Sequence, residues 1–280
     1  VTEAGDLTVE RRRGRLRWLL LAALLLVTVA AADLWRRSTD IEAAVEAVGG
    51  QMIWDNKPNA AEKLMAGIMG MSDDSAVMLG LSETEVDDDW LRTHRRGMER
   101  IADRLELYVD ATRVTDVGLG HLQDLENVNS LIVSGTAVTD AGLVHLQTLA
   151  NLEELSIDHT HVTDDGLGKL SSCHELWFLG IDRSQATERG VAHLKNCRTL
   201  RWLTLRDATD ETVARLADFT ELERLYLDGA GITDASVPVL SGMTQLESII
   251  FVDDSLSEAG LGSLKQALPG CMIERLKEEE

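Results

Sequence analysis

Residues 131–143 read Leu131-Ile132-Val133-Ser134-Gly135-Thr136-Ala137-Val138-Thr139-Asp140-Ala141-Gly142-Leu143. Shifted by 24, the segment returns as Leu155, Ile157, Thr160, Val162-Thr163-Asp164 and Gly166-Leu167. Shifted back by 24, it is Leu107, Val109, Thr112, Val114-Thr115-Asp116 and Gly118-Leu119. Later copies start at Leu179, Leu203, Leu225 and Ile249, with a terminal stub at Ile273. The spacing is 24 except from Leu203 to Leu225, where it is 22 and Ala208-Thr209-Asp210 replaces a longer loop. Seven in-phase copies define a repeat architecture.

Each unit contains two periods. The L-x-L step alternates and predicts a short strand with both Leu inward. The T-D-x-G-L-x-x-L-x-x-L stretch spaces apolar residues three apart, as in Leu143, Leu146 and Leu149, and predicts a short helix. Thr139 or Asp140 can cap it by accepting from an unpaired first-turn N–H. Pro238 falls in the first turn of its helix, where proline is tolerated. Thr112, Thr136, Thr160 and Ser184 recur where the chain leaves the strand, placed to bond the backbone of the turn. One unit cannot bury its apolar face alone, whereas stacked units share a core.

This pattern resembles the leucine-rich repeat, L-x-x-L-x-L-x-x-N/C/T-x-L, in a 24-residue variant with T-D-x-G-L helices. Cys173-x-x-Leu176 and Cys197-x-x-Leu200 resemble its cysteine-containing, ribonuclease-inhibitor-like class. The resemblance covers residues 105–276. It implies an α/β solenoid, a horseshoe with a parallel sheet on the concave face and short helices on the convex face. The wider layout is similar to bacterial membrane-anchored proteins of this type, with a basic tail, an anchor, the segment Gly49-Gly50-Gln51-Met52-Ile53-Trp54 and a last strand at Leu268-Pro269-Gly270-Cys271-Met272-Ile273. No F-box precedes the repeats, so a ubiquitin-ligase adaptor role is not carried over.

The ends of the chain differ in charge. Residues 1–37 hold seven Arg and four acids, +3, against −24 over residues 38–280 and −21 for the whole. An acidic body does not suit sequence-independent nucleic-acid binding, which needs a basic face. Arg11-Arg12-Arg13-Gly14-Arg15-Leu16-Arg17 precedes an uncharged run, Trp18 to Ala32, and Arg36-Arg37 follows it. Counted from Leu16 to Trp35, the apolar segment has the length of a spanning helix, with Trp18 and Trp35 at the interfaces. The expectation is a basic cytoplasmic tail and signal anchor over 1–37, span 16–35, with the repeats outside the cytoplasm. The alternative is a signal peptide cleaved near Ala32, followed by secretion.

Between anchor and repeats, residues 38–87 read as a juxtamembrane helical or irregular segment. Ile41–Val48 is a helix stopped by Gly49-Gly50. Asp87-Asp88-Asp89 opens a helix over 88–104, read as the N-terminal cap, and the repeat domain runs over 105–280.

Nothing in the sequence carries the signature of a nucleotide site, a nucleophile elbow, a zinc protease or paired C-x-x-C. His121, His145 and His193 share one repeat phase with Lys169 and Arg215, a slot that tolerates polar residues. Cys173 and Cys197 occupy a slot held elsewhere by Leu125, Leu149, Phe219 and Met243, and read as small buried residues. No cofactor, metal or catalytic residue is expected, and the chain reads as a non-enzyme. An envelope-polymer hydrolase using Asp158 and Asp182 is the weaker reading, because those carboxylates are expected on an open face with nothing to raise a pKa.

The informative residues alternate out of the strands onto the concave face. Phe178 and Trp202 are neighbours there, with Gly180 leaving space and Arg206, Arg224 and Tyr226 flanking. Exposed aromatics with Arg make the composition of a binding hot spot. Tyr108, Asp158, Asp182 and Asp228 complete the candidate surface, and Ser156 reads as an outward residue of little energetic weight. The expectation is a membrane-tethered recognition module for a protein or peptide with a basic rim, with a structural or self-associating envelope element as the alternative.

Overall fold

The two periods of each unit fold as the sequence requires. In the computed structural model, which describes residues 40–55, 76–182 and 184–276, strand and helix alternate along the chain. The strands are β1 (Gln51–Asp55), β2 (Ala76–Gly80), β3 (Arg104–Tyr108), β4 (Val128–Ile132), β5 (Glu154–Ser156), β6 (Phe178–Gly180), β7 (Trp202–Leu205), β8 (Arg224–Asp228), β9 (Ser248–Val252) and β10 (Met272–Leu276). They form one sheet in chain order. Leu131 pairs with Leu155, and Leu155 with Leu179, so the repeat offset is the parallel register. Those Leu point inward and are fully buried, as are helix residues Leu119, Leu143 and Leu167, and together they make one continuous core.

The expected basic tail, the span 16–35 and the cleavage site near Ala32 lie outside the described residues, as do 56–75 and 277–280. Among the described residues no helix is long and apolar enough to cross a membrane.

The solenoid starts earlier than residue 105. β2 pairs in parallel with β3, and β1 pairs antiparallel with β2. Val77, Leu79, Leu81 and Val86 are fully buried. Thr84 Oγ1 donates to Leu81 O at 2.6 Å, the same turn bond that Thr136 makes to Val133 O. Helix Asp88–Ile101, expected as the cap, is therefore the helix of an additional rung. The end of the stack is formed instead by β1 and by the helix at residues 40–47, whose Ile41 and Val45 are buried. That helix stops at Gly49, which takes φ +80°, as the Gly49-Gly50 pair predicts.

The T-D-x-G signature builds an interlock between rungs. Thr139 caps its own helix by accepting from Ala141 N–H, while Asp140 reaches the next rung. Asp140 accepts from Thr163 N–H at 2.7 Å and from Thr163 Oγ1 at 2.6 Å. Asp88 with Thr115, Asp116 with Thr139, Asp164 with Thr187, Asp210 with Thr233 and Asp234 with Ser257 repeat the pair. The carboxylate lies against the glycine of the next rung. A Cβ on Gly166 would stand 2.2 Å from Asp140 Oδ1. At Gly166 a side chain would meet the carboxylate, so glycine suits that position; at Asp210 the slot holds Ser236, whose hydroxyl donates to the carboxylate instead.

Gly166→Ala should therefore destabilise by about 1–3 kcal/mol, the range for overpacking. Gly262→Ala is the control: it lies within helix Glu258–Ala267, and its added Cβ meets nothing within 4 Å. It should stabilise by about 0.5–1 kcal/mol. Opposite signs in urea melts are expected; a loss at both positions would refute the interlock as the reason for the glycine.

Acid should undo the same bonds. Burial alone would raise the pKa of Asp164, but bonds from Thr187 N–H, Thr187 hydroxyl and Gly190 N–H outweigh it and hold it below the usual range. At Asp210, bonds from Ser236 and Thr233 likewise overcome burial, and Asp234 is held low by the Ser257 hydroxyl and N–H. A carboxylate with a lowered folded pKa binds fewer protons folded than unfolded. Its stabilisation is complete above the unfolded pKa and is lost as pH falls through that value to the folded one. Asp164→Asn should flatten the loss of stability as pH falls below the ordinary carboxylate range. An unchanged acid limb would remove this linkage.

Candidate functional site

The open face of the sheet carries the expected columns in register. Glu106, Ser130, Glu154, Phe178, Trp202, Arg224 and Ser248 follow one another across successive strands, and Met272 on β10 extends the row. These positions sit there because the inward Leu on either side fix the pleat.

In the middle of this row the side chains gather. Phe178 and Trp202 meet edge to face, with ring centroids 5.0 Å apart at 74°. Trp177 also meets Phe178, with 6.2 Å between ring centroids. The Arg224 guanidinium stands 5.6 Å from the Trp202 ring centroid, in cation–π range, and is exposed. A groove of about 420 Å³ opens beside Trp202, lined by Thr204, Arg224, Tyr226, Ser248, Ile250 and Met272. Met272 is 51% exposed on the terminal strand. Its place in the groove follows from the same register, but the sequence treats it only as part of a stub.

The acidic column differs from the expected free face. Arg206 Nε lies 3.0 Å from Asp182 Oδ1 and 2.6 Å from Asp228 Oδ2, so it bridges the two carboxylates. Asp228 is buried, at 6% exposed. Asp158 is tied down as well. Its Oδ1 accepts from Asp182 N–H at 2.5 Å and its Oδ2 from Ser156 Oγ at 2.5 Å. Ser156 Oγ also shares a hydrogen bond with Ser134 Oγ at 2.7 Å. Ser156 is thus a buried member of a polar ladder that crosses the sheet. The space beside Gly180 belongs to this ladder too: a Cβ there would lie 2.9 Å from Asp158 Oδ2 and 3.0 Å from Ser156 Oγ.

Burial raises the pKa of Asp158, against the lowering effect of the Ser156 bond and the Asp182 N–H. The carboxylate is half-buried, where an open position was expected. Both of its oxygens serve the ladder, and Asp182 serves Arg206. The pair ties neighbouring rungs together.

Tyr108 lies apart from the aromatic cluster, on β3. Burial raises its pKa, followed by the charges of Glu106 and Glu154. Burial also raises Glu154, partly countered by the bond from Ser130 Oγ at 3.0 Å. Arg104, whose charge reaches Glu154, is occupied with Glu153 through two 2.8 Å bonds. The face therefore has two ends. An acidic one surrounds Tyr108, Glu106 and Glu154, and an aromatic and cationic one runs from Phe178 to Arg224.

Cys173 and Cys197 are buried free thiols, and burial pushes their pKa up to about 12 and about 11. Among the described residues no group of His, Cys, Asp or Glu could hold a metal ion.

No protein-family model matches the chain, and no curated protein does. Among solved structures, internalin C2 from Listeria monocytogenes is similar with a TM-score of 0.56 and 19% identity, over 85% of this chain and 92% of that one. The likeness is one of fold: an α/β repeat solenoid of the leucine-rich repeat type, built on a parallel sheet.

Proposed function

We propose that the chain is a membrane-tethered recognition module that binds a protein or peptide through the open face of its sheet and performs no chemistry. The observation that carries this reading is the cluster of Phe178, Trp202 and Arg224 beside an open groove. Aromatic side chains supply large contact area at little entropic cost and Arg supplies directed hydrogen bonds, and both are enriched in hot spots. A leucine-rich repeat neighbour is consistent with protein recognition, and the 24-residue period with buried Cys173 and Cys197 supports the ribonuclease-inhibitor-like class. The Arg-flanked apolar run at 16–35 supports a tether with the repeats outside the cytoplasm, with secretion after Ala32 as the variant. A basic feature on the partner would face Glu106 and Glu154. Asp182 and Asp228 are already answered by Arg206.

A self-associating element is the second reading, favoured by Met272 and Leu276, which are 51% and 45% exposed on β10. The test is capture of partners from a lysate of the source cells on wild-type, Trp202→Ala and Lys169→Ala baits. Lys169 is exposed on the helix side. A partner lost with Trp202→Ala and kept with Lys169→Ala supports the sheet face. The reverse pattern overturns it, and recovery of the chain itself selects self-association.

A further inference from the structure

The interlock between rungs fails once among the described residues, and it fails beneath the aromatic cluster. Where other rungs place Asp, the helix of β6 begins with Glu188. Its extra methylene moves the carboxylate out of reach of the geometry that Asp140 and Asp164 use. In the next rung Thr212 fills the slot that holds Gly118, Gly142, Gly166 and Gly190 elsewhere, and that holds Ser236 where Asp210 still reaches Thr233. Thr209 turns to its own helix, giving its N–H to Thr212 Oγ1 at 3.3 Å in a reciprocal capping box. This is also the rung shortened to 22 residues. A cavity of about 200 Å³ opens at the seam, lined from one side by Ala186, Glu188 and Val191 and from the other by Thr209 and Thr212. The backbone bond crossing it, Ile181 N–H to Thr204 O, is 3.3 Å, against 2.9 Å for the equivalent Ile157 N–H to Gly180 O one rung earlier.

Two side-chain contacts close the seam on the sheet face, Phe178 with Trp202 and Asp182 with Arg206. We infer that the junction between the β6 and β7 rungs is a hinge of the solenoid, and that contact at Phe178 and Trp202 sets its opening. In a stack stabilised by nearest-neighbour terms, one weak interface opens before its neighbours. A partner that presses the two rings together closes the hinge, and one that parts them opens it. This regulation rests on the sheet face being the binding surface, but the hinge is a property of the free chain.

The experiment is native-state amide hydrogen exchange on the purified full chain without partner. The Ile181 and Thr209 amides are expected to exchange at least about tenfold faster than their counterparts Ile157 and Thr163, although the seam lies inside the stack, where fraying from the ends is least. Glu188→Asp combined with Thr212→Gly should restore the interlock and slow Thr209 by about tenfold or more. Trp202→Ala should accelerate Ile181 further, while Lys169→Ala, exposed on the helix side, leaves it unchanged. Equal rates at Ile181 and Ile157 in the unaltered chain would overturn the hinge. So would a folded double variant in which Thr209 is no slower; if that variant does not fold, the unaltered chain alone decides. Because no partner is present, a failure here leaves the binding reading intact, and a failure of Trp202→Ala to affect capture leaves the hinge intact.

Discussion

Leu155→Ala is expected to lower the unfolding free energy by about 2–5 kcal/mol, the range for truncating a fully buried Leu. Leu155 has no exposed surface and pairs with Leu131 on one side and Leu179 on the other. Its removal leaves a void in the middle of a stack, where neither flanking rung can collapse without leaving its own register. The adjacent residue separates this core effect from a polar one. Ser156→Ala deletes the donor to Asp158 and the partner of Ser134. With a buried hydroxyl bonded to a half-buried carboxylate, the loss should be about 1–3 kcal/mol. Ser248→Ala, on the same face but outside the ladder, should change stability by less than about 0.5 kcal/mol. Urea melts of the three variants rank Leu155, Ser156 and Ser248 in that order. Equal effects at Ser156 and Ser248 would mean that the ladder contributes nothing.

That contrast shows where the sequence is legible. The strand register follows from Leu131, Leu155 and Leu179, because a one-residue slip would turn every Leu outward. The helix caps follow from Thr139 and its equivalents for the same periodic reason. The rung of β2 escapes the pattern because Val77, Leu79 and Leu81 lie 28 residues before Leu105, Leu107 and Val109 rather than 24, and because its helix has Trp90 where the next has Gly118. Its strand also belongs to a stretch with no repeat before it. The polar ladder is hidden for another reason. Asp158, Asp182, Arg206 and Asp228 fall in one column, so the sequence places them side by side. Whether they face solvent or each other depends on rung spacing and on the space that Gly180 leaves. The same limit applies to the aromatic cluster: Phe178 and Trp202 are adjacent in the pattern, but the edge-to-face contact and the position of Arg224 over the indole are properties of the packed face.

Trp202→Ala should weaken partner binding by about 2 kcal/mol or more, roughly 30-fold, in the range of hot-spot truncations. The indole touches Phe178 on one side, receives Arg224 on the other, and forms a wall of the groove. Its loss removes contact area and also releases Arg224 from its orientation, so the effect should appear as faster dissociation. Charge should act on the other rate. Arg206 already bridges Asp182 and Asp228, which makes them poor probes of long-range attraction. Glu154 is the better probe, because Arg104 is engaged by Glu153. Glu154→Gln should slow association of a basic partner at low salt and matter little at high salt, where the screening length shrinks to a few ångströms. Lys169→Ala, on the helix side, should change neither rate. Surface binding kinetics of these three variants with the captured partner decide the matter. A Trp202→Ala protein that dissociates at the wild-type rate while Lys169→Ala dissociates faster would place the binding surface on the helices and remove the sheet-face reading.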